Sequence, residues 1–249
     1  MCTHTGIDIF RIFCVWRCAN SDILCVMKLE RQAVVLAGGR GSRLEPFNRT
    51  TPKPLIKIAG KPIIEYNMQS LLPHTDGFVI VVGYLHEQIE GYFGDNYQGK
   101  PISYVFQGDP QGTGHSLKLA RESVESDRTI VIYGDDIYDP KMFAMLPESE
   151  SAIVGKKFQD WQQFGVIVVD EQSRLQRLEE KPKSFVSDLV NVGVYQVSRD
   201  FWGYLDGMKL SVRGEYELTE AIENFGKDHF VKCYFRVGIG FLWDILGKY

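Results

Sequence analysis

The sequence predicts an α/β fold, a mostly parallel sheet with helices on both faces. Short β-branched, apolar runs alternate with helical patterns through the first half of the chain. A glycine-rich loop leaves the end of the first such run, as loops do at the carboxyl end of a strand that serves a ligand site. The length of 249 residues and a hydrophobic content of 44% suit one α/β domain with a large core.

The elements follow in order. Gln32–Leu36 reads as a buried strand. From Lys61 to Leu72 the pattern is helical, with Pro62 in its first turn. Residues 78–83 form a second strand, Tyr84 to Phe93 a helix ending near Gly94, and residues 102–106 a third strand. Gly112 to Val124 is helical, and Thr129 to Tyr133 is a fourth strand. The second half changes character. Residues 152–155, 164–169, 174–178 and 189–197 read as strands with a turn at 170–173, and 199–205 and 216–225 as helices. This mixed region is expected to pack on the same sheet.

The net charge of -4 gives no global attraction to nucleic acid or an anionic membrane. No apolar run approaches the roughly 18 residues of a membrane span. Neither nucleic acid nor membrane is therefore an expected partner. Four of five cysteines fall in the first 25 residues, which argues against a disulfide framework in the body and leads to the expectation of a cytoplasmic location. Cys14 and Cys18, with His4 near, match no common zinc spacing. Residues 1–26 are expected to be an appendage, because Met27-Lys-Leu-Glu-Arg leads straight into the first strand. The catalytic body is then 27–249.

The loop after the first strand carries the chemistry. Gly38, Gly39 and Gly41 let the backbone come close to a ligand, and their N–H groups can form an anion nest. Arg43 and Lys53 add two cations. Such a loop suits a polyphosphate. It is neither the G-x-G-x-x-G fingerprint nor a P-loop ending in G-K-[S/T].

What it is similar to is the longer composite L-A-G-G-x-G-S-R-L-x-P followed by P-K-P, here Leu36 through Pro54. This resembles the signature of sugar-phosphate nucleotidylyltransferases, also called NDP-sugar pyrophosphorylases, of the glucose-1-phosphate thymidylyl- or uridylyltransferase kind. Asn48 and Ser42 stand where that family usually has threonine. Further segments agree in order. Gln107-Gly-Asp-Pro-Gln-Gly-Thr-Gly-His-Ser116 resembles Q-x-x-x-x-G-T-A-x-A, and Tyr133-Gly-Asp-Asp resembles the family's G-D turn. Glu180-Lys-Pro182, Asn191-Val-Gly-Val-Tyr195 and Gly214-Glu-Tyr-Glu-Leu-Thr-Glu-Ala-Ile222 complete the set.

The resemblance implies a Rossmann-like sheet of the nucleotide-diphospho-sugar transferase type, its mixed second half completing the sugar site. It implies nucleotide contacts from Leu36, Ala37, Gly38, Gly39, Gly41, Ser42, Gln107 and Gly112. Arg43, Lys53 and Asp135 become catalytic. Gly165, Glu180, Lys181 and Asn191 take the sugar phosphate. Mg²⁺ falls to Asp135. A second metal carboxylate depends on register: Trp243-Asp244-Ile245 supplies Asp244, whereas the alternative register agrees at more positions and puts Gly238 there. The residue chemistry is consistent with these roles. An amide that both donates and accepts complements uracil or thymine, and a carboxylate suits sugar hydroxyls. His115 is expected at the surface of a helix N-terminus.

The expected activity is nucleotidyl transfer from UTP or dTTP to a sugar 1-phosphate, with pyrophosphate released. A mannose-1-phosphate guanylyltransferase and a catalytically weak regulatory subunit that binds nucleotide sugars are the alternatives. The sequence is compatible with a homo-oligomer.

Overall fold

The structure is a computed structural model that describes residues 29–39, 41 and 49–236. Arg43, Ser42, Gly238, Asp244 and residues 1–26 lie outside the described residues.

The chain opens with β1 (Arg31–Leu36). A short 3₁₀ turn over Lys53–Leu55 leads into a small hairpin, β2 (Lys57–Ile58) and β3 (Lys61–Pro62), and then α1 (Ile63–Leu71). The helix expected from Lys61 thus starts two residues later. Pro62 is its N-cap, and the preceding lysine is spent on the hairpin. Next come β4 (Gly77–Val82), α2 (His86–Phe93), the short β5 (Asn96–Tyr97) and β6 (Lys100–Phe106). After α3 (Thr113–Leu119), the expected long helix tightens into a 3₁₀ turn over Ala120–Ser123. Then follow β7 (Arg128–Tyr133), α4 (Pro140–Ala144), β8 (Ser151–Lys157), β9 (Gly165–Val169), β10 (Leu175–Glu180) and β11 (Leu189–Ser198). Residues 199–205 form a 3₁₀ helix, and α5 (Leu218–Asp228) and β12 (Val231–Arg236) complete the described chain.

One ten-stranded sheet carries the fold. Its order is β10-β9-β11-β7-β1-β4-β6-β5, with β8 paired to β11 and β12. β7, β1, β4 and β6 are mutually parallel. The mixed half begins at β11, which runs antiparallel to β7, β8 and β9. β12, which the sequence reading did not pick out, pairs parallel with β8.

Consecutive residues of β1 feed opposite layers, as the two-residue strand period requires. Ala33 and Val35 pack with Ile64, Met68, Phe78 and Phe143 under α1 and α4. Val34 and Leu36 pack with Leu117, Leu218, Ile222 and Phe225 under α3 and α5. A strand buried on both faces needs an unbroken apolar run, which is why Ala33–Leu36 carries no polar residue. The parallel arrangement brings the carboxyl ends of β1, β6 and β7 to one edge of the sheet, where ligands of such folds sit.

Candidate active site

A cleft of about 250 Å³ lies at that edge. The loop after β1 supplies Leu36, Ala37, Gly38, Gly39 and Gly41 to it. Lys53 and Pro54 come from the following 3₁₀ turn, Gln107 from the end of β6, and Gly112, Thr113 and Ser116 from the start of α3. Tyr133 and Asp135 close β7, and Glu215 enters from the segment before α5. Every expected nucleotide residue within the described chain therefore lines one cleft, together with Lys53 and Asp135.

Two of the cleft glycines are required by close approach. A Cβ on Gly38 would sit 2.4 Å from the Gln107 side-chain carbon. One on Gly112, whose φ is +112°, would sit 2.5 Å from the Tyr216 carbonyl oxygen. That carbonyl accepts from the Gly114 N–H at 2.8 Å, which ties the start of α3 to the segment bearing Glu215. Gly114, where the motif has alanine, leaves room for Met208, whose sulfur would otherwise meet a methyl at 2.4 Å.

Lys53 Nζ lies 2.7 Å from Asp135 Oδ2. The lysine side chain is 21% exposed and the carboxylate 44%. The Asp135 turn is held from below by Asn67, which is fully buried on the apolar face of α1. Its Nδ2 donates to the Asp136 carbonyl at 2.6 Å, and its Oδ1 accepts from the Tyr138 N–H at 3.2 Å. Sequence reasoning missed Asn67. Its signal was a polar residue inside the buried stripe Ile63, Ile64, Met68, Leu71.

Asp135 also suits the magnesium that the sequence resemblance implies. Magnesium takes one or two carboxylates and keeps the remaining positions for water and substrate phosphates. Among the described residues no group of three or more His, Cys, Asp and Glu could cage a metal, so a site at Asp135 would be of this open kind.

The four residues expected at the sugar phosphate do not line the cleft. Gly165, Glu180 and Asn191 gather beside it, where the ends of β9, β10 and β11 meet. Gly165 pairs with Glu180 in register, and a Cβ on Gly165 would lie 3.1 Å from Glu180 Oε2 and 3.5 Å from the Asn191 Cβ. Lys181 follows Glu180 with φ +44°, left-handed for a non-glycine residue, and its N–H donates to the Phe164 carbonyl at 3.0 Å.

Two links join this group to the cleft. Asn191 Nδ2 donates to the Tyr195 hydroxyl at 2.6 Å, and that hydroxyl lies 3.4 Å from the hydroxyl of Tyr133, a cleft residue. Gly193 makes the packing feasible: its φ is +79°, and a Cβ would strike the Tyr133 ring at 2.3 Å. The second link is Arg213. Its guanidinium reaches Glu180 at 3.4 Å, Glu217 at 3.3 Å and Glu215, a cleft residue, at 3.4 Å. Burial pushes the Glu180 carboxyl above its usual range, and the neighbouring Glu217 adds to this; Lys181 and Arg213 pull it back only in part. Burial likewise raises the phenols of Tyr133 and Tyr195, the latter to about 12, so both stay neutral donors and acceptors. His115 is half-buried against Tyr216 rather than on the surface.

The profile of the nucleotidyl transferase family matches residues 32–248. The chain belongs to that family. It is 36% identical over 221 residues to the bifunctional protein GlmU of Methanococcus maripaludis, covering 86% of this chain and 52% of that one. It is 35% identical over 222 residues to a bifunctional sugar-1-phosphate nucleotidylyltransferase/acetyltransferase of Sulfurisphaera tokodaii, covering 86% and 54%. The chain thus spans about half the length of these relatives. Among solved structures, a putative glucose-1-phosphate thymidylyltransferase from Bacillus anthracis superposes with a TM-score of 0.73 at 26% identity, covering 84% of this chain and 87% of that one. UDP-glucose pyrophosphorylase complexed with UDP-glucose gives 0.76 at 22% identity, covering 85% and 91%, and shares the fold. Among the described residues no helix is long and apolar enough to cross a membrane.

Proposed function

We propose that this nucleotidyl transferase moves a nucleotidyl group from UTP or dTTP to a sugar 1-phosphate and releases pyrophosphate. The observation that carries the reading is the pairing of Lys53 with Asp135 in a cleft floored by three glycines and walled by the Gln107 amide. The name of one relative, a sugar-1-phosphate nucleotidylyltransferase/acetyltransferase, supports the transfer to a sugar 1-phosphate; the choice of UTP or dTTP rests on the Gln107 amide.

The chemistry asks little of a general base. The attacking group is a phosphate monoester, largely ionised near neutral pH because its second pKa is about 6. The obstacle is repulsion between two polyanions, so catalysis rests on positioning and fixed positive charge. The N–H groups of the glycine loop would cradle the triphosphate, and Gln107 would meet the base. Lys53 would leave or share the Asp135 carboxylate and stabilise the α-phosphoryl group. Glu180 would accept from sugar hydroxyls while Lys181 holds the incoming phosphate. Magnesium at Asp135, when bound, supplies charge neutralisation at the reacting phosphates. Arg43 belongs to the same proposal from its sequence position alone.

The test is pyrophosphate release with Mg²⁺ across ATP, CTP, GTP, UTP and dTTP, against glucose 1-phosphate and related sugar phosphates. Release that needs both a sugar 1-phosphate and UTP or dTTP is the expected result. Release with GTP and mannose 1-phosphate would move the reading to a guanylyltransferase. No release, with nucleotide sugar still bound, would move it to a regulatory subunit.

A further inference from the structure

Gln107 is buried, 6% exposed, yet lines the cleft, and its amide is already engaged at both ends. Nε2 donates to the Gly38 carbonyl at 2.8 Å. Oε1 lies 2.6 Å from Ser116 Oγ. These two contacts fix the polarity of the amide. The Gly38 carbonyl can only accept, so the end facing it must be the NH₂. The other end is then the carbonyl oxygen. Two oxygens 2.6 Å apart need a proton between them, and of the two only the serine has one to give. Ser116 Oγ also lies 3.1 Å from the Gly112 carbonyl, the backbone bond a helical serine would otherwise make. The hydroxyl proton is thus drawn to Gln107 in preference to the helix. Each end of the amide keeps one unused valence, one N–H and one lone pair. Ser116 occupies the last position of the Q-x-x-x-x-G-T-A-x-A pattern, where the motif carries alanine and no hydroxyl.

We propose that Ser116 is a specificity-determining positioning residue, whose hydroxyl locks the Gln107 amide in the polarity that reads a uracil-type base and rejects cytosine. The proposal rests on the reading of this cleft as a nucleotide site. Held in one pose, the two pyrimidines present opposite patterns at ring positions 3 and 4. Uracil and thymine offer a donor and then an acceptor; cytosine offers an acceptor and then a donor. A side-chain amide that is free to turn over satisfies either. A locked amide satisfies one and leaves its own buried groups unpaired against the other, which is how a polar site discriminates. Gly38 blocks one wrong orientation by placing two carbonyl oxygens face to face. Ser116 adds the attractive half of the lock.

The experiment is calorimetric binding of MgUTP and MgCTP to the full chain and to its Ser116→Ala and Ser116→Thr variants, with melting temperatures measured in parallel. The wild type is expected to prefer UTP. Ser116→Ala is expected to shrink the UTP-to-CTP affinity ratio about tenfold, roughly the worth of one hydrogen bond. Ser116→Thr, which keeps the hydroxyl, is expected to retain most of the ratio. An alanine variant that weakens both triphosphates equally, or leaves the ratio unchanged, overturns the role of Ser116. A wild type that binds UTP and CTP alike, or neither, overturns the base-reading role of Gln107 itself, and does so before any variant is compared.

Discussion

The two halves of the site are built from opposite materials. The cleft at the parallel strands offers glycine backbone and Lys53 paired with Asp135, and it carries a second carboxylate, Glu215, on the side where Arg213 reaches in. The group at β9, β10 and β11 offers Glu180 and Asn191, with Glu215 and Glu217 nearby and one arginine shared among three carboxylates. The first is a place for anions. The second sets acceptors beside two cations, Lys181 and Arg213, which Glu180, Glu215 and Glu217 outnumber, a setting that suits hydroxyls. The difference teaches how one sheet would handle the proposed substrate pair, anionic at one end and polyhydroxylic at the other. Donors cluster where strands end in glycine loops, and acceptors where strands end in a carboxylate.

The sharpest way to break this contrast is Lys53→Ala. If the cleft works by fixed positive charge, turnover falls about 10²–10³-fold. The fold should hold, because a partly exposed ion pair contributes at most about 1 kcal/mol. Steady-state pyrophosphate release and a thermal melt check both halves of the statement. Near-normal turnover would remove Lys53 from the mechanism.

Gly193→Ala tests whether the two halves share one packed wall. The left-handed φ and the 2.3 Å approach to the Tyr133 ring are both violated by a methyl group. A loss of about 3 kcal/mol is expected from backbone strain and overpacking. A drop of roughly 6–12 °C in melting temperature would report it. A drop of under 2 °C would mean that Tyr133 is free to move away and that the wall is soft.

Glu180→Gln separates stability from function in the acceptor-rich half. Glu180 titrates above its usual range because burial and Glu217 disfavour its charge. A carboxyl raised on folding favours the fold below its unfolded pKa and loses that contribution as pH rises through the raised value. At neutral pH its charge is therefore a cost, and glutamine should leave the melting temperature equal or higher. Sugar-phosphate affinity should move the other way, by about tenfold, since a charged acceptor is exchanged for a neutral one. In the wild type that affinity should fall with acidification at a pH above the ordinary glutamate range, and in the variant only the step from the ligand phosphate's own second pKa of about 6 should remain. Calorimetric titrations with glucose 1-phosphate over a pH series measure both. A variant that is less stable and binds unchanged would reverse the assignment.

Much of this layout was legible in the residues. Apolar runs such as Ala33–Leu36 can only be buried strands, and a glycine cluster directly after one can only be a loop at its carboxyl end. That placed the loop of Gly38 and Lys53 at a strand end, and the family resemblance of the segments at Gln107 and Asp135, which also follow strand ends, brought all four to one place. What escaped was set by contacts between distant segments. Asn67 reads as an ordinary helix residue until the Asp136 carbonyl is found within hydrogen-bond reach of its amide. Arg213 reads as a surface residue of a turn until three glutamates converge on it. β12 follows a helix without a clean alternating pattern, and its pairing partner is β8, about eighty residues earlier. Lys61–Pro62 was lost to a local hairpin that outcompetes the first turn of α1.

The smallest expected effect probes the joint between the halves. Tyr133 lines the cleft, and its hydroxyl reaches the acceptor group through Tyr195. Tyr133→Phe removes only the hydroxyl. The Tyr195 hydroxyl still accepts from Asn191 at 2.6 Å, so no buried group is left wholly without a partner. The stability cost should then stay near or below about 1 kcal/mol. Triphosphate binding, which depends on the glycine loop, should be unchanged, and the KM for sugar phosphate should rise less than threefold as the Asn191 amide loosens. The two KM values, measured separately under saturating partner substrate, decide the matter. A matched rise in both would show that the hydroxyl pair couples the halves into one unit, because a loosened acceptor group would then be felt at the phosphate loop.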